Sequence, residues 1–162
     1  MSSSIPAVVF DCNIFLQAVL NPNGAAGACK QLVDRGQVEL FVSAQVLAEV
    51  ADVLSRPGIR RLTPALTLKG IEAFLQDISA KAITLVNVPE EFRLERDPKD
   101  QAYVNLAIIA GAKYLVSRDN DLLDLMRTET KEAQAFRRVY PMLKILDPVA
   151  FLRMMREQIV TG

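Results

Sequence analysis

The chain has 162 residues, 51% of them apolar, and its 19 basic residues balance 19 acidic ones. That length and apolar content suit one folded unit with a sizeable core and exclude a disordered chain. Zero net charge excludes a uniformly basic nucleic-acid coat, so any nucleic-acid surface must be local. In chain order, short apolar runs rich in β-formers predict strands at about 7–11 (AVVFD), 38–42 (VELFV), 82–86 (AITLV), 113–117 (KYLVS) and 143–146 (LKIL). Helical patterns fall between them in "GACKQLVDRG", "SAQVLAEVADVLSR", "PALTLKGIEAFLQDISA" and "DQAYVNLAIIAG". In the second pattern Val46, Leu47, Val50, Val53 and Leu54 form an apolar stripe, with Ser43 as N-cap and "RPG" at 56–58 as the stop. In the third, Leu68, Ile71, Leu75 and Ile78 do the same, and Gly111 closes the fourth. Segment 127–141 is polar and basic, and reads as a surface loop or partly helical excursion. Strands alternating with helices imply an α/β fold with a parallel sheet covered on both faces.

There is no histidine. This excludes Ser-His-Asp and Cys-His catalysis, histidine bases and the common zinc sites. The two cysteines, Cys12 and Cys29, lack metal-site spacing and suit a reducing, cytoplasmic setting. The opening "MSSSIPAVVFD" has no charged region followed by a long apolar one, so no signal peptide is expected, and no apolar run reaches membrane length.

The acids carry the functional signal. In open α/β sheets the working crevice lies beyond the carboxyl ends of the strands. Asp11 ends the first strand between the apolar runs Val8–Phe10 and Ile14–Leu16, where a carboxylate is out of place. Asp119 and Asp121 follow the fourth strand, Asp100 opens the helix before it, and Glu49 flanks an apolar helical stripe. Helix capping would explain Asp11, Asp100 or Asp119 singly, and a solvated face would explain Glu49. Together, unpaired carboxylates repel by about 3 kcal/mol per pair at ~5 Å and an effective dielectric of ~20. A bound Mg²⁺ or Mn²⁺ would compensate them.

The stretches "VVFDCNIFLQAVL", "SAQVLAEVADVLSRP" and "RDPKDQAYVNLAIIAGAKYLVSRDNDLLDL" resemble the PIN-domain ribonucleases, closest to the bacterial toxins of toxin–antitoxin pairs. The resemblance runs from about 7 to 126 and recurs weakly at "ILDPVAFLRMM". It implies a three-layer α/β/α sandwich with a five-stranded parallel sheet. The expected unit is a single domain over 1–162, with a core at about 7–126 and a closing strand and helix at about 143–160. It also implies RNA hydrolysis by Asp11, Glu49, Asp100 and Asp119, with Mg²⁺ or Mn²⁺ held by Asp11, Asp100, Asp119 and Asp121. Asn13 and Ser117 match small polar supporting positions, and Asp97 lies in the "DP" turn. Cys12 stands where the family often has Thr. Rival acid-based folds fit less well. A haloacid dehalogenase-type phosphatase needs D-x-D where position 13 is Asn, and a dinucleotide fold needs glycines that "DCNIFLQ" lacks.

Candidates for holding the RNA backbone are Arg56, Arg60, Arg61, Arg96, Arg118, Arg127, Lys131, Arg137 and Arg138. A protein antitoxin and a second copy of the chain are the partners the resemblance allows, with no membrane. The alternative is a non-catalytic PIN-like module that binds RNA or a protein partner. Such a module would be marked by missing acids, and here all are present.

Overall fold

The computed structural model describes residues 5–161. Its elements, in chain order, are β1 (Ala7–Phe10), α1 (Cys12–Leu20), α2 (Ala25–Asp34), β2 (Glu39–Ser43), α3 (Ala44–Ser55), α4 (Pro57–Leu62), α5 (Leu68–Lys81), β3 (Ile83–Leu85), α6 (Pro98–Ala110), β4 (Tyr114–Val116), α7 (Asn120–Arg127), α8 (Lys131–Val139), β5 (Lys144–Leu146) and α9 (Pro148–Thr161). All five predicted strands are present, and every pairing is parallel, in the order β3-β2-β1-β4-β5.

Burial explains the strand sequences. β1 and β4 lie at the centre, with Val8 opposite Tyr114 and Phe10 opposite Val116. Covered on both faces, they are continuous apolar runs, and all their residues but Ala7 are essentially inaccessible. The edge strand β3 keeps Ile83 and Thr84 exposed. Right-handed crossovers place α1–α5 on one face and α6–α8 on the other. The packing agrees. α1 contacts α2 and α3, α2 contacts α9, and α6 crosses β1, β2 and β4. The result is the three-layer sandwich that the resemblance implies. Phe151 of α9 fixes the closing helix to the sheet centre, with its ring 6.2 Å from Phe10 and 5.5 Å from Tyr114.

Several local expectations hold. Ser43 accepts a hydrogen bond from the Val46 amide at 3.0 Å and caps α3. Gly111 ends α6 in the left-handed conformation, φ 63°, which costs glycine little. Others gain detail, and one needs correction. The "RPG" stop ends α3, but Pro57 at once occupies the first position of a new helix, where its missing N–H costs nothing. Leu68 stands 61% exposed at the start of α5, outside the stripe formed by Ile71, Leu75 and Ile78. Segment 127–141 is largely the helix α8, and it buries Ala133 and Phe136. The Phe136 ring lies 5.1 Å from Phe92 and 5.3 Å from Tyr140.

Strand order fixes the site. From β1 the chain builds outward to β2 and β3, then returns to the other side of β1 for β4 and β5. The crevice beyond β1 and β4 is the switch point where open α/β sheets bind ligands.

Candidate active site

Asp11 leaves β1 at that crevice and caps α1. One carboxylate oxygen accepts from the Ile14 amide at 3.2 Å. The other accepts from the Ser117 hydroxyl beyond β4. Ser117 is fully buried, and its oxygen also accepts from the Asp119 amide at 2.9 Å. One hydroxyl thus ties together the acids of two strands. Burial pushes the Asp11 carboxyl up to about 6, against the opposing pull of the Ser117 and Ile14 hydrogen bonds.

The later acids come from two helix starts. Asp97 caps α6, accepting from the amides of Lys99 at 3.0 Å and Asp100 at 3.4 Å. Asp119 caps α7, accepting from the Asp121 amide at 2.8 Å. Asp100 lies within the first turn of α6, 9% exposed, and its Oδ2 is buried without a hydrogen-bond partner among the described residues. Burial, then the hydrogen bond and charge of Asp119, push its carboxyl up to about 8. Asp97, Asp100, Asp119 and Asp121 each offer an oxygen, all within 4.8 Å of one another. The N-termini of α1, α6 and α7 converge here, and their dipoles offset part of the repulsion.

A cleft of about 270 Å³ is lined by Asp11, Asn13, Glu49, Asp100 and Asp119, together with Cys12 and Tyr103. It therefore gathers all four acids assigned to catalysis. Glu49 is half-buried, and the Tyr103 hydroxyl donates to its Oε2 at 2.8 Å. Burial, with Glu49 and Asp11 nearby, pushes the Cys12 thiol up to about 12, so it stays protonated. The cleft and the four-aspartate cluster share Asp100 and Asp119.

Two residues do more than their sequence context suggests. Tyr103 has no acid–base signal of its own, yet it sits three residues after Asp100, on the same side of α6. Asp97 serves as a cap and also contributes an oxygen to the cluster. Asp121 differs from expectation in the other direction. Its carboxylate is engaged by Arg96 at 2.6 Å, and Arg96 also reaches Asp124 at 3.5 Å.

The basic candidates divide in the same way. Arg56 pairs with Asp52 at 2.9 Å, and Arg127 bonds Asn120 and Asp124, each at 3.1 Å. Arg137 is half-buried, bonding the Leu125 carbonyl at 2.8 Å and Glu129 at 3.2 Å. Arg60, Arg61, Arg118, Lys131 and Arg138 are exposed and make no ion pair among the described residues.

An all-oxygen donor set, one of whose residues has a buried oxygen without a partner among the described residues, fits a hard divalent cation. The family model for the PIN domain matches residues 7–121, a span that takes in every acid named above. This chain belongs to the PIN-domain family, whose members are generally nucleases that bind divalent metals. Over 126 residues it is 29% identical to "Uncharacterized protein MJ1680" of Methanocaldococcus jannaschii, an alignment covering 76% of this chain and 77% of that protein. No helix among the described residues is long and apolar enough to cross a membrane.

Proposed function

We propose that this protein is a divalent-metal-dependent endoribonuclease, acting in the cytoplasm as the toxin of a pair with a protein antitoxin. We infer that residues 1–162 work as one unit, because β5 completes the sheet that carries the acids and α9 packs against its centre. The observation that carries the reading is Asp100, which has one buried oxygen without a partner among the described residues and offers an oxygen within 4.8 Å of those of three other carboxylates.

Asp100 and Asp119 belong to both groups of acids and would hold Mg²⁺ or Mn²⁺, with Asp11 beside them and Asp121 available once parted from Arg96. When bound, such an ion supplies Lewis-acid activation of water and compensates charge on the phosphate. Ser117 holds the Asp11 carboxylate toward the cleft. Tyr103 fixes one oxygen of Glu49, leaving the other to orient water and take its proton. Arg118, Arg60 and Arg61 are free to engage backbone phosphates of the RNA.

Cleavage of single-stranded RNA with Mg²⁺ or Mn²⁺ tests this reading. Asp11→Asn and Asp100→Asn should each lower the rate by more than about a hundredfold, and excess EDTA should abolish it. Undiminished cleavage in EDTA, or by purified Asp100→Asn protein, overturns the mechanism.

A further inference from the structure

On the other flank of α6 lies a larger cavity, of about 570 Å³. It draws on the same two helices as the acid cleft. The start of α3 gives Gln45 to the cavity, and one turn later gives Glu49 to the cleft. The start of α6 gives Pro98 and Gln101 to the cavity, but Asp100 and Tyr103 to the cleft. One helical turn and one helix width put the two hollows about 6–10 Å apart, the scale of a step or two along an unstacked strand.

The cavity wall is preformed. Residues 86–97 form neither strand nor helix, yet two side-chain amides of α6 hold them. Asn105, 5% exposed, accepts from the Glu91 and Phe92 amides at 3.0 and 2.7 Å and donates to the Phe92 carbonyl at 3.0 Å. Gln101 accepts from the Leu94 amide at 2.9 Å and donates to Glu90 at 2.7 Å. The side-chain amides of Gln45 and Asn87 are exposed and have no hydrogen-bond partner among the described residues. Asn87 is held in the left-handed region, φ 54°.

The lining selects the ligand. No lysine or arginine contributes to it and Glu90 does, which disfavours a phosphate. Val86, Val88, Pro89 and Pro98 offer apolar surface beside the amides. Apolar faces with donors and acceptors around the edge describe an unpaired nucleobase. We propose that this cavity takes one unpaired base of the RNA strand whose phosphate lies in the acid cleft, with Gln45 and Asn87 reading its edge. The assignment rests on the ribonuclease reading given above.

Nitrogen-15 NMR of the full chain, titrated in EDTA with the four nucleoside 5′-monophosphates and separately with inorganic phosphate, tests it. The nucleotides should shift the side-chain amide signals of Gln45 and Asn87, and phosphate should not. The Gln45→Ala/Asn87→Ala double variant should bind nucleotide about three- to tenfold more weakly. It should still cleave RNA in an EDTA-sensitive way, but with altered base preference beside the cut. Equal responses to nucleotide and phosphate, or wild-type nucleotide affinity in the double variant, overturn the assignment. RNA cleavage without nucleotide binding in this cavity refutes the cavity alone. Nucleotide binding here without RNA cleavage refutes the nuclease alone.

Discussion

Replacing Asp119 by Asn removes one charge from the acid cluster and leaves the shape nearly intact. The Asn carbonyl can still accept from the Asp121 amide, and Asn caps helices about as well as Asp. At 4.8 Å and an effective dielectric of ~20, two carboxylates repel by about 3 kcal/mol. Asp119 is half-exposed, and screening by water brings this to about 1–2 kcal/mol. For a chain of this size that is a rise in melting temperature of roughly 2–8 °C in EDTA.

The effect must depend on pH. Asp100 and Asp11 both sit above the ordinary 3.8, at about 8 and about 6. The stability they contribute is therefore complete below 3.8, and is lost as pH rises through 6 for Asp11 and 8 for Asp100. Each group titrating between its two values lowers stability by at most about 1.4 kcal/mol per pH unit. Asp77 acts oppositely. Hydrogen bonds from Lys30 and Lys81 hold it below 3.8, so its contribution disappears only in stronger acid. At pH 6 Asp100 keeps its proton and Asp11 is only part-ionised, so Asp119→Asn should stabilise less than at pH 9. At pH 9 the full relief should appear. Adding Mg²⁺ or Mn²⁺ at pH 9 should stabilise the wild type by about 2.7 kcal/mol at a hundredfold excess over Kd, and the variant much less. Thermal melts of both proteins at pH 6 and 9, with and without metal, decide the matter. If the variant melts like the wild type at pH 9 in EDTA and keeps the full metal response, the charge-repulsion account is refuted.

Ser117→Ala should cost about 1–3 kcal/mol, because it strips the buried Asp11 carboxylate and the Asp119 amide of one shared partner. It should also slow RNA cleavage, and denaturant melts beside rate measurements would check both. In the α8 region, Arg137→Ala should lower stability by about 1 kcal/mol, since the guanidinium holds the Leu125 carbonyl and Glu129. The Lys131→Ala/Arg138→Ala pair should leave the melt unchanged and flatten the salt dependence of RNA binding, by somewhat under one log–log unit for each phosphate no longer neutralised. An unchanged slope would remove these residues from the RNA surface.

What is legible in the sequence follows from periodicity and position. Val8, Val9 and Phe10, or Tyr114, Leu115 and Val116, are doubly covered strands, and no helical stripe competes for them. Asp11 stands out because a carboxylate between two buried runs is costly without a partner. Features made by distant chain segments are hidden. Nothing local links Arg96 to Asp121 or Asn105 to the loop at 91–92, since the fold alone brings these groups together. The helix α8 shows only Ala133 and Phe136 as buried positions, too sparse a stripe to stand out from a polar loop. Cap and site are also not competing roles. Asp11 and Asp119 cap a helix and still line the cleft, because each carboxylate oxygen has more than one lone pair and a cap uses only part of that capacity.

The pairing of β1 with β4 has a consequence for biosynthesis. Asp11 and its Ser117 partner are 106 residues apart, so at roughly 5–20 residues per second the ribosome makes the second roughly 5–20 s after the first. Throughout that interval the emerging chain holds Asp11, and Glu49 for its later part, with no completed β4 to close the crevice. The chain made up to that point has strands to pair but no finished cleft. If it is the nuclease proposed above, it gains its cutting edge only once β4 and Ser117 have been made, and its messenger is spared until then.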